Sequence, residues 1–195
     1  MVLRIKVDEI QEAGLDFREV LPRAALGRIL EGEAGERPTG FQATGDAGLR
    51  VRFERVNERD IVARGGFEVA LRTDCRRCLG AVELRLPVDF ELDFVDAERV
   101  PVFSAGERED DGEGEVAGTF GPDEADQVPY SGKELDLAPI VREQLLLALP
   151  MDALCAEDCK GLCQVCGANL NEAACGCDRH VPDPRWAALK NIKLS

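Results

Sequence analysis

Hydrophobic and polar side chains alternate through four stretches in the first hundred residues. The longest covers residues 82–94, where every second residue is apolar. Shorter alternating stretches occur at residues 3–7, 49–53 and 67–71. Such alternation is typical of β-strands with one buried face. The pattern therefore predicts an antiparallel β-sheet or small barrel with one packed face.

Three short helices are predicted beside these strands. The first opens at Pro22 and ends at Gly32, because proline suits the first helical turn and glycine the position after the last. The second is capped by Asp136 and stops before Pro150. The third starts at Asp183. Strands, a few helices and a C-terminal cysteine-rich zinc-knuckle segment together predict an α+β fold.

The formal net charge of −14 is concentrated in one part of the chain. Residues 89–126 contain 14 acids and only two arginines, whereas residues 1–88 contain 15 acids and 15 bases. The second half of the acidic stretch is rich in glycine and poor in large apolar residues, so we expect it to be mobile. The sequence therefore predicts three regions: a mainly β region with a CxxC hairpin (1–103), an acidic mobile loop (104–128), and a helix, cysteine-rich zinc segment and C-terminal helix (129–195).

Eight cysteines in four close pairs are the strongest chemical signal in the chain. The pairs are Cys75/Cys78, Cys155/Cys159, Cys163/Cys166 and Cys175/Cys177. Structural zinc prefers four thiolates in a tetrahedron, so four pairs predict two structural zinc ions. Residues 1–10 show no apolar run typical of a signal peptide, so we expect the cytoplasm, where paired cysteines bind metals more often than they form disulfides. An iron–sulfur cluster is the alternative metal group.

The pairs can share two ions in two ways. In the favoured arrangement, site 1 contains Cys75, Cys78, Cys155 and Cys159, and site 2 contains Cys163, Cys166, Cys175 and Cys177. Closing the roughly 76-residue loop of site 1 costs about 4 kcal/mol, which is less than the roughly 10–16 kcal/mol that a structural zinc ion returns. The other arrangement joins the pairs at 155/159 and 163/166 and leaves 175/177 for the hairpin.

Three motifs occur in a characteristic order and spacing. They are Cys75-Arg-Arg-Cys78, the run from Cys159 to Asn171, and the tail from Asp183 to Lys190. In these features the chain resembles the bacterial YceD-like family over roughly residues 45–195. The resemblance implies a large ribosomal RNA subunit accumulation protein, which supports 23S ribosomal RNA and large-subunit assembly. Gln164 stands where the family pattern has proline.

We therefore expect a non-enzymatic zinc-binding factor whose partners are ribosomal proteins, assembly factors or pre-50S particles. The net charge disfavours broad contact with ribosomal RNA but leaves local contact open. No membrane segment and no small-molecule substrate are predicted. The candidate partner-binding residues are Arg50, Arg52, Arg76, Arg77 and Trp186. The ordinary alternative is that the arginines are solvated or paired with acids and that the tryptophan packs against the cysteine-rich module.

Two other functions are compatible with the cysteines. The first is an enzyme, either a thiol/disulfide oxidoreductase or another zinc-dependent enzyme. A thioredoxin-like CxxC needs a helix N-terminus after a strand, and catalytic zinc keeps an open position, whereas eight sulfurs suit two closed sites. The single histidine, His180, makes His-dependent catalysis a poor explanation. The second is a DNA-binding regulator, which the charge and the lack of a basic recognition helix disfavour.

Overall fold

The computed structural model describes residues 3–32, 35–57, 59–98, 127–178 and 185. The chain divides into unit 1, Met1–Arg72 and Glu83–Leu149, and unit 2, Thr73–Val82 and Pro150–Ser195. Outside the described residues lie Trp186, His180, residues 104–126 of the predicted acidic loop and, apart from residue 185, the predicted third helix. The three predicted regions stay a prediction.

The secondary structure mixes strands with two α-helices in the described residues. In chain order the elements are β1 (Arg4–Lys6), a 3-10 turn (Val7–Glu9), β2 (Leu15–Leu21), α1 (Arg23–Glu31), β3 (Gln42–Ala43), β4 (Ala47–Arg55), β5 (Ile61–Asp74), β6 (Ala81–Asp96), β7 (Gln127–Tyr130), β8 (Glu134–Asp136) and α2 (Ala138–Ala148). The predicted α+β class is confirmed.

The main sheet has the strand order β2-β4-β5-β6-β7, and β3 pairs with β5. β4 is antiparallel to both β2 and β5, whereas β7 is parallel to β6, so the sheet is mixed. β1 and β8 form a separate antiparallel pair. Within the described ranges the sheet is open, with β2 and β7 at its ends, so the barrel alternative is not formed.

The core of unit 1 lies against the apolar faces of the sheet strands. Leu49, Val51 and Phe53 of β4 are buried while Arg50 and Arg52 point to the other face. The phenyl rings of Phe53 and Phe94 lie 6.4 Å apart between their centres. Alternate residues of β6 from position 88 to 94 are buried in the same way. The alternation in the sequence therefore identifies the buried face correctly.

Both helices contribute apolar side chains to this core. α1 buries Leu26 and Leu30, and α2 buries Ile140 and Leu145. The carboxylate Oδ1 of Asp136 accepts the backbone N–H of residue 138 at 2.9 Å, which satisfies one of the free donors at the start of α2. The N-cap position itself is taken by Leu137, so the aspartate contributes its hydrogen bond from one residue before the N-cap.

Glycine is required in the middle of β5 because the neighbouring strands approach closely there. A Cβ atom on Gly65 would collide with the carbonyl oxygen of Arg50 in β4. A Cβ atom on Gly66 would collide with the carbonyl oxygen of Val88 in β6. Both contacts involve backbone, which cannot move aside as a flexible side chain can. The two glycines therefore allow three adjacent strands to pack closely.

Candidate metal centres

The connection between β5 and β6 forms a tight knuckle that presents Cys75 and Cys78. The backbone N–H of Cys75 donates to the carbonyl of Gly80 at 2.8 Å, and the N–H of Leu79 donates back to the carbonyl of Cys75 at 2.9 Å. Leu79 has φ +59°, a left-handed conformation that is uncommon for leucine. The turn directs both sulfurs to the same side of the loop.

A second knuckle with the same hydrogen bonds presents Cys163 and Cys166. The N–H of Cys163 donates to the carbonyl of Ala168 at 2.8 Å, and the N–H of Gly167 donates to the carbonyl of Cys163 at 2.8 Å. Gly167 has φ +75°, so it occupies the position that Leu79 occupies in the first knuckle. Glycine adopts this conformation without the steric cost that a side chain carries. The chain thus repeats one ligand-presenting turn.

Site 1 brings together four sulfurs from the hairpin and from the segment after α2. The Sγ atoms of Cys75, Cys78, Cys155 and Cys159 all lie within 4.8 Å of one another. The Sγ atoms of residues 75 and 159 are 3.8 Å apart, and those of residues 78 and 155 are 3.6 Å apart. Four sulfurs at about 2.3 Å from one zinc ion lie about 3.8 Å from each other. The spacing therefore fits a tetrahedral metal ion.

Site 2 groups the other four cysteines. The Sγ atoms of Cys163, Cys166, Cys175 and Cys177 also lie within 4.8 Å of one another. Residue 163 is buried and residue 166 is exposed, while residues 175 and 177 are half-buried. These are the two sets of the favoured arrangement, and in each set four cysteines can hold a metal ion. The competing arrangement would need sulfurs from residues 155 and 163 in one group, which the structure does not form.

Arg77 ties the C-terminal segment to the hairpin. Its Nη1 donates to the carbonyl oxygens of Glu157 and Cys159, both at 3.0 Å. Its own carbonyl accepts the N–H of Leu162 at 3.0 Å, and its N–H donates to the sulfur of Cys75 at 3.4 Å. One residue therefore organises the backbone on both sides of site 1.

Backbone donors favour the ionised thiolate at one cysteine of each site. The N–H groups of Cys155 and Cys78 lower the pKa of Cys75 to about 6. Those of Cys166 and Val165 lower the pKa of Cys163 to about 6. Because metals bind the thiolate, such donors prepare a sulfur for an ion.

Another thiol in each site holds its proton more strongly. Hydrogen bonds with the thiols of Cys159 and Cys78 raise the pKa of Cys155 to about 12. A hydrogen bond with the thiol of Cys166 raises the pKa of Cys177 to about 12. Four adjacent thiols cannot all ionise by themselves because their negative charges repel. A divalent cation removes that repulsion, so the donor set suits a metal ion better than four free thiols.

The predicted partner-binding arginines differ in what they contact. Arg50 is exposed, and no ion pair to it is found among the described residues. Arg52 pairs with Asp16 at 2.8 Å and also donates to the carbonyl of residue 13 at 2.6 Å. Arg76 makes a long, exposed ion pair with Asp152 at 3.8 Å. These arginines fall in different units, and their partner-binding role stays a prediction.

Asn171 is a functional candidate that was not singled out from the sequence. It lies between the two cysteine pairs of site 2, yet its Nδ2 donates to the sulfur of Cys159 in site 1 at 3.3 Å. Asparagine between cysteines ordinarily indicates a turn. Its position within the run from Cys159 to Asn171 was visible in the sequence, but the contact with a ligand sulfur depends on the fold.

The fold and the sulfur geometry define the chain as an α+β protein with two candidate four-cysteine metal centres. The family model described as large ribosomal RNA subunit accumulation protein YceD matches residues 63–193, which include all eight cysteines. The chain belongs to this family. The resemblance identified from the three motifs is thereby confirmed.

Two curated relatives are similar to the chain, and both are named large ribosomal RNA subunit accumulation protein YCED homolog 1, chloroplastic. The one from Zea mays is 25% identical over 185 residues, which cover 84% of this chain and 63% of that protein. The one from Arabidopsis thaliana is 37% identical over 65 residues, which cover 33% of this chain and 20% of that protein. The chain thus spans less than two thirds of each relative. No solved structure matches it.

Neither helix of the described part is long and apolar enough to cross a membrane. The predicted cytoplasmic location stays a prediction, and the names of both relatives contain the word chloroplastic.

Proposed function

We propose that this chain is a non-enzymatic factor that supports accumulation of the large ribosomal RNA subunit. In this proposal two zinc ions hold unit 2 in a fixed shape that partners recognise. The observation that carries it is the pair of four-sulfur sites in a chain whose family is named for this role. The names of the two relatives support the same role.

Zinc is the metal that the donor set supports best. Each site groups four sulfurs, and among the described residues no histidine or carboxylate joins either group. The sulfur–sulfur distances of 3.6 and 3.8 Å in site 1 are close to the edge of about 3.8 Å expected for a tetrahedral zinc ion. Four ligands complete the coordination, so neither ion would keep an open position for a substrate. Bound zinc would supply positive charge, and its coordinate bonds to sulfur would link distant segments of the chain. The iron–sulfur alternative would give a coloured protein.

Protein contacts are favoured over broad RNA contact by the charges on the exposed sheet face. Arg52 pairs with Asp16, and Arg64 pairs with both Glu54 and Glu91. These ion pairs neutralise arginines that would otherwise attract phosphate. Each four-thiolate zinc site would add a formal charge of about −2. The proposed partners are therefore ribosomal proteins, assembly factors or pre-50S particles, whose basic proteins complement the acidic residues 89–126.

The enzymatic alternative requires a thiol that a substrate can reach. Cys75 and Cys163 have the lowered pKa values that thiol chemistry uses, but their exposed fractions are only 0% and 2%. Iodoacetamide tests access directly. Rapid labelling of one cysteine in the metal-loaded protein would support an enzyme, whereas slow labelling until a chelator is added would support structural sites.

Two linked measurements test the proposal. The native protein is purified without added metal, and its metal content is determined; we expect two zinc ions per chain. Proteins and RNA that co-purify at moderate salt are identified with and without ribonuclease, using a Cys78→Ser, Cys159→Ser variant as the comparison. We expect large-subunit proteins or precursors with the native chain and fewer with the variant. Two zinc ions without any large-subunit component would refute the function but keep the metal sites.

A further inference from the structure

We propose that Asn171 couples the two metal sites, so that filling site 2 strengthens metal binding at site 1. This inference rests on the proposed zinc sites and goes beyond them, because it assigns a positioning residue and an order of assembly. Asn171 lies in the loop that joins Cys166 to Cys175, so both ends of its loop belong to site 2. Its amide nevertheless reaches a sulfur of site 1.

The orientation of the Asn171 amide is fixed by its neighbours. Its Oδ1 accepts the backbone N–H of Lys160 at 2.8 Å. A backbone N–H can only donate, so the oxygen must face residue 160 and the NH₂ group must face the other way. That group donates to the sulfur of Cys159 at 3.3 Å and to Oδ1 of Asn169 at 2.9 Å. The amide therefore presents a donor, not an acceptor, to the sulfur.

Further hydrogen bonds place the loop of Asn171 beside the chain between the two sites. The N–H of Leu170 donates to the carbonyl of Gly161 at 2.9 Å. The turn itself is closed by a hydrogen bond in which Oδ1 of Asn169 accepts the backbone N–H of Asn171 at 3.1 Å. Gly161 has φ +74°, and a Cβ there would approach the carbonyl oxygen of Arg77 at 2.9 Å. The loop thus has little freedom to move away from Cys159.

A donor to a ligand sulfur strengthens metal binding in two ways. It stabilises the negative charge on the thiolate, and it holds the sulfur in the direction of the ion. Replacing a residue that hydrogen-bonds to a metal ligand typically lowers metal affinity about 10–100-fold. Without an ion at site 2 the cysteines at the two ends of the loop are not held together, so only the hydrogen bonds of the loop keep the donor in place when site 1 binds its ion. An ion at site 2 holds the two ends in advance.

The coupling must also act in the opposite direction. If an ion at site 2 raises the affinity of site 1 by some factor, an ion at site 1 raises the affinity of site 2 by the same factor. The two ions would therefore bind cooperatively, although no ligand is shared between the sites. The chain would pass from metal-free to fully loaded with little of the half-loaded form.

A mutant cycle on the full chain tests this inference with zinc and a chromophoric competing chelator. Site 2 is disabled by Cys175→Ser together with Cys177→Ser, and the cycle is completed with Asn171→Ala. We expect either change to weaken zinc at site 1 at least ten-fold, and the combination to weaken it little further. Gln164→Ala is the matched control, because Gln164 is an exposed amide of the site 2 knuckle with no hydrogen bond found in the described part. We expect less than a two-fold change.

Asn171→Asp provides a second variant of the same size. Its carboxylate can still accept the N–H of Lys160, but it presents an anion to the sulfur, so we expect a larger loss at site 1 than with alanine. Cobalt provides a second readout: losing the donor should move the sulfur-to-cobalt charge-transfer absorption of site 1 to longer wavelength. Asn171→Ala and Asn171→Asp should both still bind one ion at site 2, because all four of its cysteines remain.

Three results would overturn the inference. One is site 1 affinity in Asn171→Ala within two-fold of the native chain. Another is an effect of disabling site 2 that is the same with and without Asn171, because the amide then carries no coupling. The third is weaker zinc binding at site 2 in Asn171→Ala when site 1 is disabled by Cys78→Ser together with Cys159→Ser, which would indicate damage to the loop. A native chain that binds no zinc would instead refute the proposed metal sites themselves.

Discussion

Removing metal from the loaded protein is expected to unfold unit 2 while unit 1 stays folded. The two units bury very different amounts of apolar surface. Unit 1 contains a continuous core that includes Phe53, Phe94 and Leu145. In the described part of unit 2, the buried cluster consists of Cys75, Cys78 and Cys159, with half-buried apolar neighbours. Unit 2 therefore depends on its sulfurs for a core.

The size of the effect follows from the side chains of unit 2. Leu170 is buried, and Val82, Leu154 and Leu162 are half-buried. At about 1.5–3 kcal/mol for each fully buried side chain, these four contribute at most roughly 6–12 kcal/mol. Ordering the backbone of residues 150–178 at about 1–2 kcal/mol each costs roughly 30 kcal/mol or more. The apolar side chains therefore cannot order the segment by themselves, and the metal ions, at roughly 10–16 kcal/mol each, are its main source of stability.

Hydrogen exchange read by mass spectrometry can follow the two units separately. Before chelation we expect slow exchange at the N–H groups of Leu162, Cys163 and Leu170, which donate to backbone carbonyls in unit 2. After complete metal removal we expect these amides to exchange rapidly, while amides of β4 and β5 in unit 1 stay protected. Chelator already saturated with zinc is the control, and added zinc should restore protection.

Persistent protection in unit 2 after verified metal removal would refute the reasoning. It would mean that hydrogen bonds and the small apolar cluster suffice to order the segment. Loss of protection in both units at once would contradict a different part of the argument, namely that unit 1 has a sufficient core of its own.

Three further predictions concern single substitutions. Cys155→Ser should lower the metal content from two ions to one and make the hairpin thiols open to iodoacetamide; hairpin thiols that stay protected would support the competing arrangement. Leu79→Gly should stabilise the loaded protein against heat by roughly 0.5–1 kcal/mol, because it relieves a left-handed leucine whose side chain is 65% exposed; a loss of stability would show that the leucine packs. Gly66→Ala should cost at least about 1–3 kcal/mol in urea unfolding through overpacking, whereas Gly48→Ala, with nothing within 4 Å of its Cβ, should be neutral or stabilising.

The parts of the fold that local patterns determine were predictable from the sequence. The alternating stretches correspond to β1, β4, β5 and β6, and the proline and glycine signals correspond to α1. β2 was missed because three successive residues, Arg18, Glu19 and Val20, are all exposed and interrupt its alternation. β7 was missed because it is short, contains Pro129 and pairs in parallel with a strand distant in sequence. Long-range pairing of this kind leaves no local periodicity.

The candidate sites show the same division between local and long-range information. Close spacing within each cysteine pair indicated metal ligands, and the cost of loop closure indicated that the long-range site is feasible. The contacts that surround the sulfurs could not be predicted in this way. Arg77 looked like a surface cation beside a knuckle, but its guanidinium donates to two carbonyls of the C-terminal segment. Which acceptors a long side chain meets depends on a segment about 80 residues away.

This placement of Arg77 changes how the basic residues near the hairpin are interpreted. A four-thiolate zinc site carries a formal charge of about −2, which must be balanced when its sulfurs are buried. The guanidinium of Arg77 supplies positive charge beside site 1. The backbone N–H of the same residue donates to the sulfur of Cys75. The amide of Asn171 supplies a neutral donor to another sulfur of the same site. Arg77 therefore contacts the backbone beside a candidate metal site, and its predicted role in partner binding stays a prediction.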